Sequence, residues 1–564
     1  MPRKPLVVSI FALCGTIVIS AVGAGVVYGS TRAVAAPSAA ATVHAGGSAG
    51  TLTPEATVDP LHAAAALTQP AASARARGAR PLHGAALAHS AAASTAPRTV
   101  SAGMQPDAAG VVLHNFNGVG SLDSAVTNFG AEFEPPDQGL CAGNGFVVEP
   151  VNSAYTIYRA NGAVVAGPFN VNALFDEGFR QFTSDPRCYF DQATNTWFAI
   201  ILFINAKNTA SRTDLAVSTS ADPTKPWTVY RINTTDDGTH GTPNHAGCPC
   251  FGDQPLLGID QENVYISTNE FSILGPQVNS AQIYAISKAD LVALAHHIHF
   301  VHFDNLNIAG VLAQSVQPAL SSGRPDAEYF LNSLDPNGSG DNRLGVWAMT
   351  NRHNVSTGHL PTLSSLVIAS EPYFIPPGVE QKGLNSTLDA GDDRMQQTQY
   401  INGGIWGELG TTVLVAGDGS PRAGAAWFRV HPQLAGAVLG SATLTDQGYL
   451  GLAGHYLIYP ALQANAEGSA VVVMTLSGPD MFPSVAYAVL REGQHTFGAV
   501  HLAASGTGAY DPNATRWGDY SWAVLDPDHD AVWLATEYIP PLASQTTDGL
   551  RNWGTRVLEV SLSH

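Results

Sequence analysis

Apolar residues fall into three regimes along this 564-residue chain. After Arg3 and Lys4, an apolar run extends from Leu6 to about Tyr28, shortly before Ala33-Val34-Ala35. A basic start, an apolar stretch and a small-residue site form an export signal, and the run also has the length of a bilayer span. Residues 1–35 therefore read as a signal peptide or an uncleaved signal anchor. From about Ala36 to Pro106 no apolar period exists, and Ala, Ser, Thr, Pro and Gly dominate. Such a stretch buries too little surface to offset its chain entropy. Residues 36–106 thus read as a disordered tether, leaving one domain over 107–564.

In that domain, apolar runs of four to eight residues stand between Gly, Pro, Asn and Asp. Phe146–Val151, Trp197–Phe203, Val264–Ser267, Glu328–Leu331, Thr412–Ala416, Ala470–Leu476 and Ala531–Ala535 have the length and flanks of strands. Helical periodicity is confined to Asn172–Phe179 and Ser287–His296. A repeat organises the strands. Gln254-Pro255-Leu256-Leu257, Gln317-Pro318-Ala319-Leu320 and Tyr459-Pro460-Ala461-Leu462 share one pattern, and Asp185-Pro186-Arg187-Cys188 has the same shape. Asp519-Tyr520-Ser521-Trp522 is a looser copy; Pro136-Asp137-Gln138 and Gln397-Thr398 fill the remaining places. A spacing of roughly 50 to 80 residues suits four strands with their loops. The pattern predicts an all-β fold, a β-propeller of about seven four-stranded blades, with six or eight as neighbouring counts. Val111–Phe116 is placed to add a strand to the last blade and close the ring. An irregular two-sheet β protein is the competing architecture.

Charge narrows the partners. Seven of the 26 basic and two of the 45 acidic residues lie in 1–104, so the remainder carries 19 basic against 43 acidic residues. So acidic a surface repels phosphate backbones, which excludes nucleic acid as a partner. The only membrane contact expected is through the N-terminal segment, and the domain reads as a monomer.

In a propeller the blade starts border the central channel. The repeat brings Asp137, Asp185, Asp253 and Asp519 to similar positions, with Gln317, Gln397 and Tyr459 completing the ring. Three roles fit converging carboxylates. They lock neighbouring blades by accepting backbone N–H groups, they hold Ca²⁺ through oxygen ligands, or two of them act as an acid/base pair on a sugar. Asn269, Glu270, Arg516, Tyr520 and Trp522 add polar and aromatic groups of the kind that line sugar sites. No Gly-x-Ser-x-Gly elbow, His-Glu-x-x-His, phosphate loop or dinucleotide fingerprint is present, so no organic cofactor is expected.

Cys141, Cys188, Cys248 and Cys250 follow the tether. An even number in an exported chain points to disulfides. Cys141 and Cys188 occupy nearly matching positions in the first two repeats, and pairing them leaves the tight ring Cys248-Pro249-Cys250. The alternative is a zinc or copper site from His240, His245, Cys248 and Cys250. His296, His297, His299 and His302 read as a solvated helix end.

Ser218-Thr219-Ser220-Ala221-Asp222-Pro223-Thr224-Lys225-Pro226-Trp227 resembles the Asp-box turn of sialidase-like propellers, retaining its Asp and Trp. Arg516-Trp517-Gly518-Asp519-Tyr520-Ser521 with Asp526-Pro527 is similar to a segment of secreted bacterial proteins of that propeller class. The resemblance implies a sialidase-like β-propeller. The arginine, Tyr/Glu and Asp set of a sialidase does not map onto this chain. The expectation is an exported or cell-surface propeller that binds an extracellular glycan or protein. The alternative is a secreted glycoside hydrolase of sialidase-like fold using a channel-mouth carboxylate pair.

Overall fold

The computed structural model describes residues 41–62, 96–106, 112–130, 133–179, 181–335, 338–510, 516–542, 545 and 552–563. The N-terminal segment read as an export signal lies outside them. Among the described residues, six four-stranded antiparallel meanders follow one another, and a seventh four-stranded sheet joins the two ends of the domain. Sheet 1 comprises Cys141–Gly143, Phe146–Val151, Ala154–Arg159 and Val164–Asn170. Sheet 2 comprises Phe182–Asp191, Thr196–Ile204, Ser211–Ser218 and Trp227–Asn233. Sheet 3 comprises Cys250–Ile259, Asn263–Ser272, Val278–Ser287 and Ile298–Phe303. Sheet 4 comprises Gln317–Pro318, Glu328–Ser333, Asp341–Thr350 and Thr362–Tyr373. Sheet 5 comprises Met395–Ile401, Gly404–Val415, Arg422–Ala435 and Val438–Leu450. Sheet 6 comprises Tyr456–Ala464, Ala470–Gly478, Met481–Leu490 and Val500–Ala504.

Sheet 7 takes Trp522–Leu525, Ala531–Tyr538 and Gly554–Ser561 from the C-terminal end, and its fourth strand is Val112–Gly120. Leu558 pairs with Asn115 across that junction. The closing strand expected near Val111–Phe116 is therefore in place. First strands of successive sheets lie against one another, and that of sheet 7 meets that of sheet 1. The expectation of an all-β chain of four-stranded antiparallel sheets holds.

The core lies between the sheets. All nine tryptophans are buried, and clusters such as Phe198, Ile200, Leu257, Ile266 and Tyr284 join adjacent sheets. Burial of such side chains contributes roughly 1.5–3 kcal/mol each. The hairpin resembling an Asp-box turns tightly: Asp222 accepts the Thr224 N–H at 2.9 Å. Trp227 Nε1 donates to the Pro223 carbonyl, also at 2.9 Å.

Two expectations need correction. Residues 41–62 and 96–106 do not belong to a disordered tether. Thr42–His44, Ser48–Leu52 and Ala56–Val58 pair antiparallel with the outer strands of sheets 4, 3 and 2. Arg98–Thr99 and Met104–Pro106 run parallel to strands of sheets 5 and 6. An outer strand presents a row of unpaired N–H and C=O groups that any extended segment can satisfy. Small residues even help: a Cβ on Gly50 would come within 2.7 Å of the Phe300 ring. Among the described residues of these segments, Leu52, Val58 and Ala96 are the buried hydrophobic side chains.

The second correction concerns the histidines and the helices. The helix after Ser287 covers only Lys288–Val292, with the Ser287 hydroxyl capping it. His299 and His302 lie on the fourth strand of sheet 3, where His302 stacks on Tyr284 at 4.2 Å. The other expected helix is a 3₁₀ turn, Val171–Phe175.

Candidate functional site

Left-handed backbone stands in or just before the first strands of sheets 1, 2, 3, 4, 6 and 7. Asp137, Asp185, Gln254, Ser315, Tyr459 and Gly518 have φ between 42° and 58°, the left-handed region that side chains disfavour. Pairing shifts register just after Asp185, Gln254 and Tyr459. Pro186, Pro255 and Pro460 follow directly; lacking an N–H, proline costs no ladder bond at a bulge. The repeated X-Pro motif is thus a bulge at the sheet end. Its register corrects the sequence reading. Asp137 and Asp185 occupy the left-handed position, Asp253 stands one residue before it and Asp519 one after. Gln317 sits two residues past the left-handed Ser315 and donates to the Met395 and Gln396 carbonyls instead.

The four aspartates nevertheless converge. Asp137, Asp185, Asp253 and Asp519 line one recess with Arg516, Glu134, Asn152 and Ser184, and Phe133 and Phe182 give it apolar walls. Backbone ties hold it. Asp137 Oδ1 accepts the Asp519 N–H at 2.9 Å, while Oδ2 accepts Asn152 Nδ2 at 2.7 Å. Asn152 Oδ1 accepts the Asp185 N–H at 2.7 Å, and Asp185 Oδ2 accepts the Gln254 N–H at 3.2 Å. Asp137 and Asp185 thereby clamp sheets 7, 1, 2 and 3 together. Burial, reinforced by the charges of Asp519 and Asp185, holds the Asp137 carboxyl well above the usual carboxylate range.

Arg516 pairs with Asp519. Arg394, on the far side of sheet 3's bulge, donates to Gln254 Oε1 at 2.6 Å and clasps Asp392. Arg394 also borders a second recess with Asp335, Asp393 and Ser315. Sequence reasoning missed Arg394, Gln254 and Asn152. The run Asp392-Asp393-Arg394 was a visible signal.

Two candidates lie elsewhere. Tyr520 is buried below the recess, its ring 3.5 Å from the Arg187 guanidinium and its hydroxyl donating to the Pro186 carbonyl. Glu270 belongs to a separate cluster on sheet 3. There His245 Nδ1 lies 2.9 Å from both Glu270 oxygens and Nε2 lies 3.5 Å from Asp304. Asp304 and then Glu270 raise the His245 pKa to about 10. Asp236, buried beside Glu270, has its carboxyl pushed up by desolvation and by that neighbour.

Cys141–Cys188 and Cys248–Cys250 form disulfides: the even count predicts disulfides, and the structure decides the pairing that the sequence leaves open. Their sulfurs are consumed and His240 is exposed, so the His240/His245/Cys248/Cys250 zinc or copper set does not form.

No protein-family model and no curated protein matches the chain. Solved structures match over most of it at low similarity. The haemagglutinin-neuraminidase ectodomain of parainfluenza virus 5 is 9% identical, with 68% of this chain and 82% of that one covered and a TM-score of 0.33. The endosialidase of phage phi92 is 9% identical, with 66% of each chain covered and a TM-score of 0.35. An α-L-arabinofuranosidase of Fusarium graminearum is 10% identical, covering 78% of this chain and 97% of its own, with a TM-score of 0.32.

Proposed function

We propose that the chain is an exported seven-bladed β-propeller that binds an extracellular glycan in the Asp137/Asp185/Asp253/Asp519 recess. The observation that carries this reading is the gathering of carboxylates from four sheets around Arg516 between Phe133 and Phe182. Carboxylates accept sugar hydroxyls, a guanidinium donates to ring and carboxyl oxygens, and aromatic rings cover the C–H faces of a pyranose. The backbone ties of Asp137 and Asp185 orient the groups before a ligand arrives, which lowers the entropy lost on binding. Arg516 beside Asp519 favours such an organic ligand over bare Ca²⁺. Two disulfides support export to an oxidising compartment.

One feature favours hydrolysis as a second reading. Asp137, whose carboxyl burial holds well above the usual carboxylate range, lines the same recess as Asp185 and Asp519, and general acid/base cleavage draws on such a group beside other carboxyls.

Calorimetric titration with a panel of soluble neutral and acidic polysaccharides tests both. Binding is expected for at least one member, and Arg516→Ala weakens it about tenfold or more, since a charged hydrogen bond contributes about 1.5–3 kcal/mol. Binding unchanged in Arg516→Ala, or absent across the panel, overturns the assignment. Release of reducing ends that stops in Asp137→Asn would decide for the hydrolase.

A further inference from the structure

We propose that Asp236, His245 and Glu270 form a binding site for one divalent transition-metal ion of the zinc type, with Asp304 orienting the histidine. The site lies at the end of sheet 3 that carries Asp253. Glu270 follows Asn269 on the second strand, and Asn269 pairs with Asp253. Asp236 and His245 come from the connection between sheets 2 and 3, Asp304 from the turn after the fourth strand. The chain thus brings four groups from three segments to one point.

Three observations carry the proposal. A carboxylate oxygen each from Asp236 and Glu270 and a ring nitrogen of His245 all lie within 4.8 Å of one another. That is compatible with three ligands about 2.0–2.2 Å from a shared centre. Asp236 is 0% exposed; Gln282 Nε2 donates to its Oδ2 at 2.7 Å, while its buried Oδ1 receives no N–H or hydroxyl donor among the described residues and the Glu270 carboxyl is its neighbour. A buried carboxylate oxygen left this way loses its hydration without compensation, and a cation supplies what is missing. Third, His245 is already arranged as a ligand. Nδ1 faces Glu270, and Nε2 faces Asp304 and the Asn305 side chain. Asp304 on the Nε2 side holds the ring with Nδ1 turned to Glu270, the carboxylate–histidine arrangement that fixes the angle of a ligating ring.

The donor set selects the ion. One imidazole with two carboxylates suits zinc and its neighbours, whereas Ca²⁺ and Mg²⁺ prefer oxygen alone. The nearby sulfurs of Cys248 and Cys250 are tied in a disulfide and do not enter the set. The site is independent of the glycan reading and stands or falls without it.

The test uses the purified full chain after chelator treatment and dialysis. Titration with Zn²⁺ should show one site per chain and a raised melting temperature, and Co²⁺ should develop visible d–d absorption. His245→Ala should abolish both, while Asp236→Asn and Asp304→Asn weaken Zn²⁺ binding about tenfold or more. Circular dichroism confirms that each variant is folded. Should Asp236→Asn fail to fold, the exposed-side variant Asp304→Asn still reads the site. The pair His296→Ala/His297→Ala should leave binding unchanged. Absence of stoichiometric Zn²⁺ binding, or Co²⁺ absorption surviving in His245→Ala or lost in the His296/His297 pair, overturns the proposal.

Discussion

Asp137, at the first strand of sheet 1, accepts the backbone N–H of Asp519, at the first strand of sheet 7, at 2.9 Å. The bond joins residues 382 positions apart and spans the seam where the first sheet meets the last. Asp137→Ala strands this N–H together with the Asn152 amide. Each unpaired buried donor costs about 1–3 kcal/mol. Thermal melts should show a clear loss for Asp137→Ala and a smaller one for Asp137→Asn, which keeps an acceptor. Equal melting of wild type and Asp137→Ala would show that the carboxyl is not a tie.

Glu149 sets a pH dependence at the same seam. Its carboxyl accepts the Val119 N–H at 2.9 Å and the Tyr158 hydroxyl at 3.3 Å, and it also pairs with Thr555. Burial raises its pKa from 4.5 to about 7. The folded state therefore holds a proton that the unfolded chain releases at lower pH. The stabilisation is complete below pH 4.5, declines as pH rises towards 7 and is gone above it. Its size is about 3 kcal/mol at about 1.4 kcal/mol per pKa unit. Melts of Glu149→Gln and wild type from pH 4.5 to 8 should diverge, the wild type falling more steeply. Parallel curves would refute this role.

The two disulfides should differ in value. Cys141–Cys188 has a sequence separation of 47 and joins sheets 1 and 2, so loop closure stabilises by about 4 kcal/mol. Cys248–Cys250, with a separation of 2, contributes about 1–2 kcal/mol by the same relation. The double variant Cys141→Ala/Cys188→Ala should melt well below Cys248→Ala/Cys250→Ala. Mass spectrometry without reductant should find none of the four as a free thiol.

Deleting residues 1–62 removes the added strands from sheets 2, 3 and 4 and leaves three outer edges unpaired. The remaining chain should fold, melt lower and associate at high concentration, because open edges pair with one another. Deleting residues 1–120 also removes the fourth strand of sheet 7 and should abolish the cooperative melt. Light scattering and calorimetry distinguish the two. A 1–62 deletion that stays monodisperse with an unchanged melting temperature would show that the added strands contribute nothing.

Much of the fold was legible because it is local. Runs such as Trp197–Phe203 and Ala470–Leu476 carry strand character in their own composition, and the Pro after a bulge recurs from sheet to sheet. Val112–Gly120 was recognisable as a strand without a hairpin partner of its own. Cys141 and Cys188 shared a nearly matching repeat position, which made their pairing one option; the fold decides it. Other features had no local trace. Thr42–Val58 joins sheets through backbone bonds, which impose no side-chain period, so its Ala- and Gly-rich composition read as disorder. A one-residue shift around each left-handed position decided that Asp137 and Asp185 clamp sheets while Asp519 pairs with Arg516. Tyr520 follows Asp519 directly, yet its buried ring packs on the Arg187 guanidinium. Arg394 reaches Gln254 across 140 residues, and Asp236, His245, Glu270 and Asp304 meet only because sheet 3 folds its loops to one end. Local pattern determines strands; which side chains face each other depends on register and ring closure, and those exist only in the folded chain.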